Sequence, residues 1–274
     1  MNFSAFLKHG TILLAVIALG VLIGLWTGGR GDSVFSLCRE QPQTPGALKQ
    51  PAAPLGSDEA QDASFIALAE RTNPASGNTL AYYIEAWYDE EEQIIRGEEK
   101  IIWTHPGQKP VDTLYFHLYP NAFASKKSTF IEESGGRLRG DRMKKNSFGH
   151  MKVLSAAYGD QDVTERMQFV QPDDGNKHDQ TVMKLALDEP VQPGQQVELT
   201  FAFQVKLPFV FARMGVAERF VMAGQWYPKI AVYEPAGTRG RKTEGWNVHQ
   251  YHGNSEFYAD FAAYRVRIHV PSDY

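Results

Sequence analysis

His249, His252 and Glu256 form the densest local group of side chains that could bind a metal or transfer protons, in the segment HQYHGNSE. A helix would bring such residues onto one face, but Gly253-Asn254 indicates a turn between them. We therefore interpret them as hydrogen-bonding groups that brace a long loop, with metal binding as the alternative. The zinc-peptidase pattern H-E-x-x-H is absent, because none of the eight histidines is followed by Glu.

Charge is unevenly distributed along the chain. Residues 126–152 contain eight Lys or Arg and three acidic residues, a local excess of +5, whereas the whole chain carries -4. Such a segment could attract an anion or a membrane surface, but its four glycines favour a solvated, mobile loop. Residues 85–99 contain seven acidic residues, which we interpret as the outer face and turn of a first hairpin, with no specific cation site. The net charge and a pI near 6.1 argue against a nucleic-acid partner.

An apolar stretch near the N-terminus predicts membrane insertion. Residues 9–29 follow a short flank (residues 1–8), lack Asp, Glu, Lys and Arg, and would span about 31 Å as a helix. We predict a single uncleaved transmembrane helix that places the rest of the chain on the extracytoplasmic side of the cell membrane. A cleaved signal peptide is the alternative, although no small-x-small cleavage site follows.

Residues 30–77 have the composition of a linker, rich in Pro, Gln, Ala, Gly and Ser. Within it, residues 62–71 (DASFIALAER) predict a short helix that ends at Asn73-Pro74. The single cysteine, Cys38, excludes an internal disulfide and a cysteine-based zinc site. A lipid-modified Cys38 is disfavoured, because a bulky Leu37 precedes it and the apolar block lies far away.

From residue 78 onward the pattern becomes that of short strands separated by turns. The segments with strand length and β-favouring composition are residues 82–88, 94–103, 111–119, 151–157, 181–187 and 197–206. In the last of these, alternation places Val197, Leu199, Phe201, Phe203 and Val205 on one face. Strands at this spacing without helices between them predict antiparallel sheets packed on each other.

Aromatic residues concentrate between Trp226 and Tyr264, where the sequence is least periodic. We expect a packed corner at Trp226-Tyr227-Pro228, since Gly224 permits close backbone approach and Pro228 restricts the chain. After this region, residues 264–270 alternate strictly and predict a final strand that ends at Pro271.

Several of these segments together resemble one family. The run Trp226-Tyr227-Pro228, then Tyr233-Glu234, then FYADF and RVRIHVP, resembles the end of the N-terminal domain in the aminopeptidase N family of zinc metallopeptidases. The segment LYFHLYPN (residues 114–121) is similar to the central strand of the same domain. The resemblance covers residues 78–274.

The resemblance implies a β-rich domain followed directly by a zinc-binding catalytic domain. Zinc would belong to that missing domain, so we expect no catalytic residue, metal ligand or cofactor in this chain. The family's Gly-x-Met-Glu-Asn element is also absent. In the family, a Gln or Glu before the aromatic-Pro element binds the free amine of the substrate. Glu218 or Gln225 could match it, although the usual Q-x-x-x-x-x-x-R context is missing and a purely structural role is the alternative.

These observations together predict an all-β chain, an antiparallel β-sandwich or saddle domain after a transmembrane helix and a Pro-rich linker. The first functional hypothesis is the membrane-anchored, substrate-side scaffolding domain of an aminopeptidase-like zinc metallopeptidase, inactive alone. Its partners would be the membrane, a peptide substrate and a catalytic domain after Tyr274. The second hypothesis is a complete membrane-tethered β-sandwich that binds protein or glycan.

Overall fold

The computed structural model describes residues 79–274. The predicted membrane span (residues 9–29), the linker and the short helix at residues 62–71 lie outside the described residues. Among residues 79–274, no helix has the length and apolar character needed to cross a bilayer.

The described part is built almost entirely from β-strands, which confirms the predicted all-β class. The strands, in chain order, are β1 (Leu80–Asp89), β2 (Ile94–Thr104), β3 (Val111–His117), β4 (Arg137–Leu138), β5 (Asp141–Arg142), β6 (His150–Tyr158), β7 (Gln161–Asp162), β8 (Met167–Phe169), β9 (Val182–Val191), β10 (Gln196–Lys206), β11 (Met214–Ala217), β12 (Phe220–Ala223), β13 (Lys229–Ile230), β14 (Val232–Glu234), β15 (Gly245–Asn247) and β16 (Ala263–His269). The helical elements are α1 (Thr129–Ser134) and 3-10 turns at Tyr119–Phe123, Thr164–Arg166 and Thr238–Gly240.

Two sheets enclose the main core. The larger sheet has the order β16-β1-β2-β10-β6-β7, and the smaller has the order β13-β3-β9-β8. Their inner faces meet at contacts such as that between Phe116 and Phe201, whose ring centroids lie 5.1 Å apart. The face predicted for β10 is the buried one, since Val197, Leu199, Phe201, Phe203 and Val205 all lie in this core. The sandwich therefore forms because alternating strands each bury one apolar face.

The final strand departs from the antiparallel pattern. β16 pairs with β1 in parallel, with Tyr82 opposite Tyr264 and Ile84 opposite Val266. It forms one edge of the larger sheet. The connection from β1 to β16 passes through most of the domain, so the two strands can run in the same direction, which hairpin reasoning does not anticipate.

The segment predicted as a mobile loop, residues 126–152, contains ordered elements. α1 buries Phe130 and Ile131 in the core, and β4 and β5 form a small hairpin after it. The loop interpretation was wrong here because Phe130 in the helix packs against Phe123 and Phe211 and holds the segment on the core. The strand predicted for residues 111–119 ends at His117, since Pro120 lies at the start of a 3-10 turn.

Candidate functional site

Trp226 lies at the bottom of a packed corner. Its side chain is 3% exposed and packs against Phe203, with ring centroids 6.0 Å apart. Two residues earlier, a Cβ atom at Gly224 would lie 2.8 Å from the carbonyl oxygen of Arg213. Only glycine allows this approach without a shift of the backbone. Trp226, Tyr227 and Pro228 are all buried, so these side chains are not displayed as a surface.

Tyr227 connects the corner to the last strand. Its hydroxyl donates to the hydroxyl of Tyr264 at 3.0 Å, and the Tyr264 ring stacks on Tyr82 at 5.1 Å between centroids. The backbone N–H of Ile230 donates to the Tyr82 hydroxyl at 3.2 Å. The aromatic-Pro element and the strand RVRIH are therefore held together by side chains from β1 and β16.

A lysine and a glutamate are buried beside these tyrosines. The Lys229 ammonium donates to the Tyr227 hydroxyl and lies 3.9 Å from the centroid of its ring. Burial lowers the pKa of Lys229 to about 7, while Glu99 acts in the opposite direction. Burial also raises the pKa of Glu99, whose two carboxylate oxygens have no hydrogen-bond partner among the described residues. The sequence predicts Glu99 on the outer face of the first hairpin. On β2, however, Glu99 lies on the same buried side of the strand as Ile95 and Ile101, so the prediction was wrong for this residue.

The two residues proposed to bind a substrate amine lie in different environments. Glu218 is exposed at the tip of the β11–β12 hairpin, with a φ of 54°. Gln225 precedes Trp226 with a φ of 56° and is buried, and its amide oxygen has no partner among the described residues. A positive φ costs conformational free energy for both Glu and Gln. The surrounding structure must therefore hold the backbone in this conformation at both positions. Neither side chain lines the cleft described below.

Glu234 organises the segment that follows the corner. Its carboxylate accepts from Arg241 at 2.8 Å, from Asn247 at 3.3 Å and from the Tyr258 hydroxyl. Partial burial raises the pKa of Glu234, but the hydrogen bonds from Arg241, Tyr258 and Asn247 outweigh this effect and lower it. The ionised Glu234 therefore joins the β14–β15 hairpin to the loop before β16.

The predicted cluster in HQYHGNSE braces this loop through partners that lie far away in sequence. His249 Nδ1 lies 2.9 Å from one Asp173 oxygen, and His252 Nε2 lies 3.2 Å from the other. His252 Nδ1 lies 2.9 Å from Glu133 at the end of α1. Glu256 is directed elsewhere and pairs with Arg139 and with Arg213 at 2.9 Å. His249 and His252 thus share Asp173, whereas Glu256 does not join them.

The protonation of His252 is set by two carboxylates. Partial burial lowers the pKa of His252, but the hydrogen bonds to Glu133 and Asp173 outweigh this effect and raise it. When both ring nitrogens carry protons, the imidazolium donates to both carboxylates at once. A neutral imidazole has one N–H and can donate to one carboxylate only.

A half-open cleft of about 370 Å³ lies beside this network. Its lining residues come from the end of β3 and from the bracing loop: His117, Tyr119, Asn247, His249, Gln250, His252, Ser255, Glu256 and Tyr258. Burial lowers the pKa of His117 to about 4, and the backbone of Asn247 opposes this effect, so His117 is neutral at physiological pH. The cleft is lined by aromatic side chains such as Tyr119 and Tyr258 and by polar or charged side chains such as Gln250, His252 and Glu256.

The histidines and carboxylates do not converge on one point. Across residues 79–274, no group of three or more His, Cys, Asp or Glu side chains has an arrangement that could hold a metal ion. The zinc that the family resemblance implies therefore has no ligand set in the described part of this chain.

Comparisons with known proteins identify only distant structural neighbours of this chain. No protein-family model matches the chain, and no curated protein matches it. Among solved structures, the chain is similar to an M1 zinc metallopeptidase from Deinococcus radiodurans, at 13% identity and a TM-score of 0.28 over 47% of this chain and 20% of that chain. A two-domain M1 zinc metallopeptidase mutant bound to L-tryptophan shows 12% identity and a TM-score of 0.29 over 52% of this chain and 23% of that chain.

The chain thus spans roughly a fifth of the length of the solved structures to which it is similar. TM-scores of 0.28 and 0.29 are too low to carry an argument about function, so the proposals below depend on the motifs and contacts of this chain.

Proposed function

We propose that this chain is the substrate-side N-terminal domain of an aminopeptidase-like zinc metallopeptidase. The observation that carries the proposal is a hydrogen bond between the two segments that most resemble the family. Tyr227, in the aromatic-Pro element, donates to Tyr264, at the start of the closing strand, at 3.0 Å. The segments that each resemble this family therefore pack together in one unit, as expected if they belong to the same domain.

Gln225 is the better candidate for contact with a substrate amine. The Gln225 amide oxygen is buried and has no partner among the described residues, so it can accept a hydrogen bond from an ammonium group that reaches it, and the positive φ fixes the direction of the backbone. Glu218 has a formal charge that would suit the same ligand, but it lies exposed on a hairpin tip. We assign the substrate contact to Gln225 and regard Glu218 as a surface residue.

The proposed whole protein has two further parts. Residues 9–29 anchor it as a single span, with the β domain on the extracytoplasmic side of the cell membrane. A catalytic domain after Tyr274 supplies the zinc, the general base and the bond cleavage in a peptide substrate. The present domain contributes one wall of the substrate site and no catalytic residue.

Activity measurements on two products test this assignment. The chain of residues 1–274 should neither hydrolyse aminoacyl anilides nor retain stoichiometric zinc, whereas the product of the complete reading frame should do both. In that longer product, Gln225→Asn keeps an amide and tolerates the positive φ but shortens its reach. Loss of one hydrogen bond to a charged group should reduce kcat/KM by roughly tenfold or more.

The matched control is Glu218→Gln, which should leave kcat/KM nearly unchanged. An equal loss in both variants would contradict the assignment to Gln225, and chelator-sensitive turnover by residues 1–274 alone would contradict the proposal as a whole.

The cleft favours a second candidate function, a membrane-tethered β-sandwich that binds a protein or glycan ligand. Tyr119 and Tyr258 line it, together with polar side chains such as His249 and Gln250. Under this proposal His249→Ala would abolish ligand binding while the domain remains folded, and the reading frame would end without a zinc motif.

A further inference from the structure

A second face of the domain combines lysines with exposed apolar side chains. We call it the basic face and define it as Lys144, Lys145, Lys152, Leu154, Lys206 and Phe209. Phe209 is 41% exposed and Leu154 is 54% exposed. Both belong to the large apolar side chains that are exposed among the described residues. Single exposed apolar residues are common, but two beside four lysines form an unusual surface.

The pairing of β6 with β10 places the lysines on one side of the larger sheet. His150 lies opposite Lys206, and Lys152 lies opposite Gln204. Because side chains alternate along a strand, Lys152 and Lys206 point to the same outer face. Leu154, two residues after Lys152, is left unpaired at the irregularity in this pairing and is exposed to solvent.

The segment before β6 brings the remaining members to the same place. The Lys144 ammonium lies 4.4 Å from the centroid of the Phe209 ring. The Phe209 backbone N–H donates to the Ser147 hydroxyl at 2.5 Å. A Cβ atom at Gly149 would lie 2.4 Å from Pro208, so the two segments are in close contact. Phe209 is thereby fixed beside Lys144 in the segment that precedes β6.

Among the described residues, three lysines of this face lack an ion pair, whereas Lys206 lies beside the acidic β1–β2 turn, residues 89–92. Within residues 79–274, Lys144, Lys145 and Lys152 form no ion pair. Lys206 donates to the backbone oxygen of Glu92, and the Glu92 carboxylate is paired with Arg96. Burial and the nearby charges of Lys152 and Lys206 lower the pKa of His150, so the lysines alone carry the charge.

We propose that the basic face docks the domain onto an anionic lipid surface. Lysines attract acidic headgroups over a Debye length, and exposed Phe and Leu side chains enter the interfacial layer where such headgroups lie. A nucleic acid is a poorer occupant because it has no apolar interfacial layer into which Leu154 and Phe209 could insert. The inference does not depend on the peptidase assignment, since it concerns a different surface.

Hydrogen–deuterium exchange of the full chain tests the docking. The chain is mixed with vesicles of phosphatidylcholine alone or of phosphatidylcholine with phosphatidylglycerol, and exchange is compared for residues 143–150 and 206–211. We expect exchange to be at least twofold slower in these segments with the anionic vesicles. The difference should disappear near 1 M salt, where the Debye length is about 3 Å.

Two variants identify the groups responsible. Lys144→Gln/Lys152→Gln should reduce docking by roughly 25-fold, since each lysine near an anionic surface contributes about fivefold. The matched control, Lys109→Gln/Lys242→Gln, removes two exposed lysines near the Thr104 end of β2, whereas the basic face lies at its Ile94 end. This control should retain full protection with anionic vesicles.

The results of these experiments distinguish docking onto anionic lipid from the alternatives. Equal exchange with both lipids, or equal loss in both double variants, would overturn the basic face as a docking surface. Protection by added RNA but not by anionic vesicles would also overturn it. Retention of the chain on neutral vesicles reports only on residues 9–29 and leaves the comparison between the two lipids intact.

Discussion

At the scale of single residues, the buried pair Lys229 and Glu99 is the most unusual feature of the domain. Both are essentially excluded from solvent, and no hydrogen bond within the described residues reaches the Glu99 oxygens. Removing one partner of a buried pair usually costs more than replacing both, because a charge is left uncompensated. The pair therefore makes a specific and testable contribution to the pH dependence of stability.

We predict opposite effects of the two groups as pH changes. The folded protein binds fewer protons at Lys229 than the unfolded chain between pH values of about 7 and 10.5, so Lys229 makes stability rise with pH there. Because the pKa of Glu99 is raised above 4.5, the folded protein binds more protons there, and stability falls as pH rises above that value. Urea unfolding from about pH 5 to about pH 9 measures both slopes.

The variants assign each slope to its residue. Lys229→Met should lose the rise above neutral pH and should lower stability, since Glu99 loses the ammonium that favours its ionised form. The double variant Glu99→Gln/Lys229→Met should have a flatter pH profile than either the natural chain or the single variant. An unchanged profile in the double variant would show that other groups determine the pH dependence.

Trp226 carries a second prediction at this scale. Truncation of a buried indole costs about 3 to 5 kcal/mol, so Trp226→Ala should lower Tm by roughly 6 °C or more. Circular dichroism during heating measures the shift. Trp87→Ala is the matched control, because Trp87 is only partly buried and stacks on His269 at the edge of the sheet. A shift under about 2 °C for Trp226→Ala would contradict a structural corner.

At the scale of elements, the loop between β15 and β16 depends on the protonation of His252. Its folded pKa is raised by Glu133 and Asp173, so its stabilising contribution is complete below the unfolded value of 6.5 and is lost as pH rises through the folded pKa. We predict that His252→Gln reduces the free energy of unfolding more at about pH 6 than at about pH 8. Urea unfolding at the two pH values gives the comparison.

His249→Gln serves as the control for this prediction. His249 is largely exposed and contacts a single carboxylate, so its replacement should have a smaller effect at both pH values. A loss in His252→Gln that does not vary with pH would mean that packing, and not the two carboxylates, holds the loop.

The elements also show which parts of the fold can be predicted from sequence. Strands such as β2 and β10 were predicted nearly to the residue, because alternation reports directly on a buried face. The same alternation on β2 placed Glu99 inward, and that signal could have been used. The β11–β12 hairpin was missed because its turn residues, Glu218 and Arg219, are not typical turn formers.

At the scale of the whole molecule, the unpredicted features depend on contacts between distant segments. The parallel partner of β16 lies in β1, and the His252 contacts join residues 119 and 79 positions apart. Local propensity contains no information about such pairs. The cleft was not predicted for the same reason, although two of its three histidines, His249 and His252, were identified as a cluster from their spacing.

The proposed aminopeptidase-like function depends most strongly on sequence that follows residue 274. The domain described here has no ligand set for zinc, so the proposed function requires a catalytic domain in the same polypeptide. Determining the coding sequence downstream of the Tyr274 codon is the most direct test. We predict a continued reading frame with H-E-x-x-H and a later Glu that completes the zinc ligands. A stop codon directly after Tyr274 would contradict it, as would a continued frame without that motif.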